Sequence, residues 1–227
     1  MTDRSVLITG ASGGLGRAVA SAFVADGWRV VAPIIDDWAG AEGIELVRDV
    51  DLTDPDAVGS VAAVAAGDPD RPLRAVVNLV GGFASGGKVH ETPFEQFEAQ
   101  FQLNLRPTYL VTQAALPALV AAGGGAIVCV SSRAAVAPFP GAAGYITSKA
   151  AVIAFAQAVA VEYRDAGVRC NAILPSVIDT PGNRAAQPNA DHSRWVSPAE
   201  IAAVIRYLAG PDSAPTSGAS IPVYGRA

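Results

Sequence analysis

The sequence predicts a doubly wound α/β fold, a parallel sheet of about seven strands with helices on both faces. Three observations carry this. Short apolar runs rich in β-branched residues alternate with helical stretches along the whole chain. The runs are predominantly apolar, as strands covered on both faces require. A glycine-rich turn stands directly after the first run. The 227 residues, 51% hydrophobic, suit one domain with a sizeable core. No repeat, low-complexity tail or linker interrupts them, so 1–227 reads as a single domain.

In chain order, "SVLITG" is the first strand, followed by the turn "ASGGLG" and the helix "RAVASAFVADG". "WRVVAPII" is the second strand. "IELVRDVDL" is the third, ending where "TDPD" starts a helix that Thr53 or Asp54 can cap. "LRAVVNLV" is the fourth, and the glycine-rich "GGFASGGK" follows it. A long helix from Phe94 to Ala121 is interrupted near Pro107, since proline removes a helical donor. "GAIVCVSS" is the fifth strand, before a helix that opens with "GYITSKA". "VRCNAILP" is the sixth. The polar, proline-containing loop 176–197 borders the carboxyl ends of the strands, where ligands sit in such sheets, and reads as a substrate lid. The helix "AEIAAVIRYLAG" and the strand "ASIPVYG" close the chain.

Composition excludes several classes. A net charge of −5 with scattered arginines argues against a nucleic-acid surface. Cys129 and Cys170 lie in strand runs without metal-ligand spacing, and read as reduced, buried thiols of a cytoplasmic protein. His90 and His192 lack metal-like partners, so no metal site is expected. The N-terminus carries no signal-peptide pattern, and no apolar run is expected to span a bilayer.

In "TGASGGLG", Gly10 permits the tight turn, Gly14 lets the backbone approach a pyrophosphate, and Gly16 lets helix and strand pack closely. Asp51 follows the third strand, where its carboxylate serves either a local cap or an adenine amino group. Tyr145 and Lys149, four residues apart, share a helix face. The chain has only two lysines, and this one stands in an apolar segment. An ammonium near a phenol lowers its pKa, making tyrosine usable as an acid or base near neutrality.

These motifs resemble the short-chain dehydrogenase/reductase family and occur in its order. They are "TGASGGLG", "DL" at Asp51 and Leu52, Asn78 in "NLVGG", Asn104 in "FQLNLRP", Ser132 in "VSSRAA", and "YITSK". "CNAILPS" and "SGASIPVYG" extend the likeness over essentially the whole chain. The resemblance implies a Rossmann-type sheet, an NAD or NADP cofactor, and hydride transfer between nicotinamide and a small carbonyl or alcohol. It makes Tyr145 the general acid/base and places Ser132 on the substrate oxygen. Lys149 would bind the nicotinamide ribose and lower the Tyr145 pKa, while Asn104 would hold a relay water. It assigns cofactor contacts to Gly10, Ser12, Gly14, Leu15, Gly16, Asp51, Leu52, Asn78, Tyr145, Lys149, Pro175 and Thr180. It also implies a homodimer or homotetramer, consistent with apolar circumference on the Tyr145 and Phe94–Ala121 helices beyond what one sheet face covers.

The chain departs from the family pattern in places. "NLVGG" stands for the usual "NNAG", and Ser176 stands where glycine often follows the proline. The stretch between the second strand and Asp51 is short, with one customary helix reduced or absent. The family's cofactor-selecting positions fall on Ile34, Ile35 and Gly13, which match neither NAD nor NADP patterns. Asp36 and Asp37 would repel a 2′-phosphate and favour NAD; Arg17 is the opposing feature. "NLVGGFASGG" and the 179–195 stretch are also similar to the quinonoid dihydropteridine reductase branch, which makes pterin reduction an alternative. That branch typically lacks the serine retained here as Ser132. A non-catalytic nucleotide sensor is the second alternative. Phe83, Phe139 and Trp195 are candidates to line an apolar pocket. Asp179, Thr180 and Asn183 are lid residues suited to turn bonding, with Thr180 also able to reach the nicotinamide amide. Ser131, on a strand next to Ser132, is expected to face the opposite way.

Overall fold

The computed structural model describes residues 4–226; residues 1–3, where the N-terminal run begins, and Ala227 lie outside the described residues. Seven strands form one parallel sheet in the order β3-β2-β1-β4-β5-β6-β7. They are β1 Ser5–Thr9, β2 Arg29–Pro33, β3 Ile44–Val47, β4 Leu73–Asn78, β5 Gly125–Val130, β6 Val168–Pro175 and β7 Ser220–Val223. Helices α1 (Gly14–Ala25) and α7 (Pro198–Ala209) cover one face. Helices α2 (Pro55–Ala66), α4 (Arg106–Ala121) and α5 (Ala143–Glu162) cover the other. Helix α3 (Phe94–Asn104) packs on α5, and α6 (Pro181–Ala186) lies in the β6–α7 connection.

Strand alternation feeds two cores. Val6, Ile8, Val30, Ala75 and Val77 meet Val19, Phe23, Ile201 and Ile205 on one side. Leu7, Val31, Val76 and Ile127 meet Val58, Val111, Leu119 and Val152 on the other. Because both faces are covered, the strands carry apolar side chains on both sides rather than on one. Full burial of each such side chain is worth roughly 1.5–3 kcal/mol.

Three local features differ from the bare pattern. The third strand is shorter than "IELVRDVDL": Asp49 adopts a left-handed φ of 57° and turns the chain away. The connection 34–43 between β2 and β3 carries no helix, as its length suggested. Arg29 instead ties this edge, pairing with Glu45 at 2.7 Å and donating to the Val64 and Ala65 carbonyls at the end of α2. The long helix breaks at Leu105, so that Pro107 falls in the first turn of α4, where its missing N–H is harmless. Of the two cap candidates, Asp54 caps α2, accepting from Asp56 N at 3.0 Å.

Helix α5 is long and apolar enough, by length and composition, to cross a membrane. Its Val152, Ala156 and Val159 are built into the core under the sheet, and a core helix of this kind meets the same criterion.

The chain runs outward from β1 to β2 and β3, then returns across to β4. That reversal opens a crevice at the carboxyl ends of β1 and β4. Thr9 Oγ1 ties its floor, accepting from Leu79 N at 3.1 Å and Val80 N at 3.4 Å.

Candidate active site

The glycine turn fills the near end of the crevice. Gly10 has a φ of 69°, the left-handed region that favours glycine. A Cβ on Gly16 would lie 1.9 Å from the Gly10 carbonyl oxygen, so helix and strand could not meet there with any side chain. Helix α1 has no side-chain cap at Gly13, which leaves its first-turn amides available to an anion. A Cβ on Gly14 would meet the Thr180 side chain at 2.8 Å, so the β6–α7 segment lies directly over this turn. Bare amides, a glycine cradle and a covering segment fit a dinucleotide pyrophosphate.

The adenosine side is set by a fold-back of the chain after β2. Ile34 is buried and Ile35 exposed, so neither side chain is placed to choose a cofactor by charge. Asp36 accepts from the Ser12 hydroxyl of the glycine turn and from Trp38 N at 3.1 Å, and both bonds hold its carboxyl below the usual range. Arg17 donates to the Ser12 carbonyl at 2.8 Å and lies over the Trp38 ring. Asp51 accepts from Thr53 N and Oγ1 at 2.8 and 2.7 Å, both on Oδ1. Leu15 and Leu52 pack against the two cores. The Asn78 side chain points away from the crevice into the α4 layer, where Nδ2 donates to Thr112 Oγ1 at 3.0 Å. Pro175 is buried at the end of β6.

The far end gathers the chemistry. The Tyr145 phenol lies next to the Ser132 hydroxyl, which acts on its titration as a hydrogen-bonding neighbour. Burial pushes the Tyr145 pKa up, and Ser132 opposes this in part. Lys149 is 5% exposed, and its Nζ donates to the Val130 carbonyl at the end of β5 at 3.0 Å. Desolvation pulls its pKa down to about 8. The expectation that Lys149 lowers the Tyr145 pKa is corrected here: burial dominates the phenol and pushes its pKa up, and the ammonium's hydrogen bond goes to the Val130 carbonyl. The physical reason is direction, because the lysine bonds inward to the strand end.

Asn104, fully buried at the α3–α4 break, accepts from Gly82 N at 2.9 Å and donates to Ser148 Oγ at 3.2 Å. A Cβ built on Gly81 would lie 2.6 Å from Asn104 Oδ1 and 2.8 Å from Lys149 Nζ. Asn104 and Lys149 thus converge over one bare glycine. Sequence reasoning missed Gly81 and Ser148, and the only hint was the doubled glycine in "NLVGG". Ser131 faces away from Ser132, bonding the Lys149 carbonyl at 2.7 Å.

Phe83 presents its ring edge-to-face to Tyr145 at 5.0 Å, and Phe139 lies 6.2 Å from Phe83. Trp195 packs instead on His192 at 4.3 Å, within the β6–α7 segment. In that segment Thr180 caps α6 by accepting from Asn183 N, and Asp179 forms an ion pair with Arg184. Among the described residues, no group of His, Cys, Asp and Glu is placed to hold a metal ion.

Comparison with known proteins bears on family and fold. Residues 4–191 match the family model described as short chain dehydrogenase. The 2-(R)-hydroxypropyl-CoM dehydrogenase of Xanthobacter autotrophicus is 34% identical, over 98% of this chain and 98% of its own. A short-chain type dehydrogenase/reductase structure from Mycobacterium ulcerans superposes with a TM-score of 0.91 at 26% identity, covering 100% of this chain and 90% of the other. The NADP-bound structure of ElxO gives a TM-score of 0.89 at 26% identity, covering 98% and 97%. From its glycine turn to its Ser132–Tyr145 pair, this chain belongs to the short-chain dehydrogenase/reductase family, NAD(P)-dependent oxidoreductases that act between alcohol and carbonyl.

Proposed function

We propose that Tyr145 is the general acid/base of this oxidoreductase, giving its proton to a carbonyl oxygen in reduction and recovering it in oxidation. Ser132 holds the same oxygen. The observation that carries the reading is the Ser132 hydroxyl next to the Tyr145 phenol, together with the Asn104–Lys149 convergence over Gly81. A phenol whose pKa burial raises is protonated at neutral pH, which suits the acid role. Lys149, with a pKa of about 8, is largely an ammonium at pH 7 and would hold the nicotinamide ribose hydroxyls. Asn104, fixed by Gly82 and Ser148, would hold the relay water. The dinucleotide, when bound, supplies or accepts the hydride.

Gly10, Ser12, Gly14, Leu15 and Gly16 would cradle the pyrophosphate, Asp51 and Leu52 the adenine, and the Asn78 main chain, Pro175 and Thr180 the nicotinamide end. NAD is the preferred cofactor, because Asp36 brings a carboxylate onto Ser12 where a 2′-phosphate would meet it. The chain works as one domain, with 176–197 as its lid: the Ile178–Val196 bridge closes the segment's base, and Thr180 lies on Gly14. Helices α4 and α5 form a homodimer face, which a tetramer would retain. Buried free thiols at Cys129 and Cys170 suit the cytoplasm, which fractionation of the native host would check. The hydroxyl of Ser132 on the phenol favours carbonyl reduction over pterin reduction.

Tyr145→Phe tests the central assignment. It should lower kcat by about 10²–10⁴-fold while NADH affinity, read by calorimetry, changes little. Full activity in that variant would refute the assignment. Tight dinucleotide binding by the unaltered protein, with no turnover across carbonyls and quinonoid dihydropterin, would instead indicate the sensor reading.

A further inference from the structure

We infer that Phe83 and Phe139 form a specificity subsite for an aryl group attached to the substrate's carbonyl carbon. The inference rests on the assignment of Tyr145 as the residue that meets the carbonyl oxygen. Both rings are large, apolar and open to solvent, 59% exposed for Phe83 and 44% for Phe139. They stand against the phenol rather than scattered over the surface: Phe83 is edge-to-face with Tyr145 at 5.0 Å, with an interplanar angle of 90°. Phe139 is tilted 48° to Phe83, with centroids 6.2 Å apart.

Two loops bring the rings together, and a backbone clip fixes their spacing. Gly86 N, after β4, donates to the Gly141 carbonyl, before α5, at 2.7 Å. A Cβ on Gly141, where φ is 83°, would lie 2.7 Å from the Gly86 carbonyl oxygen, so the two backbones touch. Below them, a Cβ on Gly82 would strike Leu103 at 2.6 Å. The wall is therefore apolar at its base and aromatic at its rim. A carbonyl held by Tyr145 and Ser132 projects one substituent along this wall.

Tilted rings at these distances match the arrangements that aromatic pairs prefer, because ring edges are positive and faces negative. A planar aryl arm would add a third ring in the same tilted or edge-to-face manner. A saturated ring of equal size would gain only the area term. The wall thus selects for planarity as well as apolarity.

The test compares acetophenone with cyclohexyl methyl ketone, using the full-length protein saturated with NADH. Binding is read by calorimetry on Tyr145→Phe, where slow turnover leaves the complex intact, and kcat/KM on the unaltered protein. The expected result is a preference of about 5–10-fold for the aryl ketone in both readouts. Phe83→Leu and Phe139→Leu, whose side chains are exposed and whose folding is checked by melting, should each cut that ratio toward 1. Equal affinity for the two ketones, binding of neither, or a ratio unchanged in both leucine variants would overturn the inference. Undiminished turnover in Tyr145→Phe, with the kcat/KM preference for the aryl ketone intact, would instead count against the acid/base assignment and leave the aryl subsite standing.

Discussion

Lys149 shows at residue scale how this site stores free energy. Its ammonium is desolvated, with the Val130 carbonyl as its bonded partner, and its pKa falls from 10.5 to about 8. At neutral pH the folded protein therefore carries a buried charge costing about 3 kcal/mol, from about 1.4 kcal/mol per unit. Between pH 8 and 10.5 the unfolded chain keeps this proton and the folded chain has lost it, so the Lys149 penalty shrinks as pH rises. Lys149→Met should therefore stabilise the unliganded protein by about 1–3 kcal/mol below pH 8, and the advantage should fade toward pH 10.5. Urea melts at several pH values would measure it, and a destabilised variant would contradict the burial argument. Asp36 offers a second test at this scale. Asp36→Asn removes the charge that meets a 2′-phosphate, so the NADH-to-NADPH ratio of kcat/KM should fall about tenfold or more, an ion-contact effect of roughly 1.5–3 kcal/mol. An unchanged ratio would leave the selection to Arg17 and Trp38. The presence of an acidic pair was legible in the sequence. Its seat on Ser12 was not, because it depends on how 34–43 folds back without a helix.

At the scale of elements, packing decides what spacing suggests. Four-residue spacing put Tyr145 and Lys149 on one face of α5, yet the two side chains serve different partners, Ser132 and the end of β5. The exit of β4 matters equally. Gly81→Ala would drive a Cβ into Asn104 Oδ1 and Lys149 Nζ. We expect kcat to fall by about 10²-fold, since a 1 Å misplacement of catalytic groups costs on that order, with little change in melting. Gly59→Ala in α2 is the control: its Cβ would meet nothing within 4 Å. It should raise stability by about 0.5–1 kcal/mol and leave turnover unchanged. Equal turnover in the two variants would show that the bare glycine plays no positioning role. Helix boundaries and caps were legible to within a few residues at α2 and the α3–α4 break, because proline and capping side chains act locally. The early end of β3 was not, because a left-handed Asp49 has no signature in "LVRDVDL".

At the scale of the whole molecule, the sheet order and the two cores follow from alternating elements, and the unpartnered helix face bears on assembly. Tyr109 is 47% and Val161 65% exposed along α4 and α5, and Tyr109 pairs with Phe155 at 5.6 Å. Leu116, Val120 and Tyr163 continue the same groove. If this face joins two copies, Tyr109→Arg should shift light-scattering mass from dimer to monomer at micromolar concentration, with far-UV circular dichroism unchanged. A monomeric unaltered protein would refute the assembly proposal. By itself the sequence determined the fold class, the strand succession, the glycine turn and the candidate residues Ser132, Tyr145, Lys149 and Asn104, all of which depend on local pattern and chain order. Only the tertiary structure decided that Asn78 turns from the crevice, that Lys149 bonds inward, that Asp36 reaches Ser12, and that Phe83 and Phe139 stand together at the phenol. Those facts arise where loops from separate strands meet, and contact between distant segments is set by packing and backbone direction rather than by the order of residues.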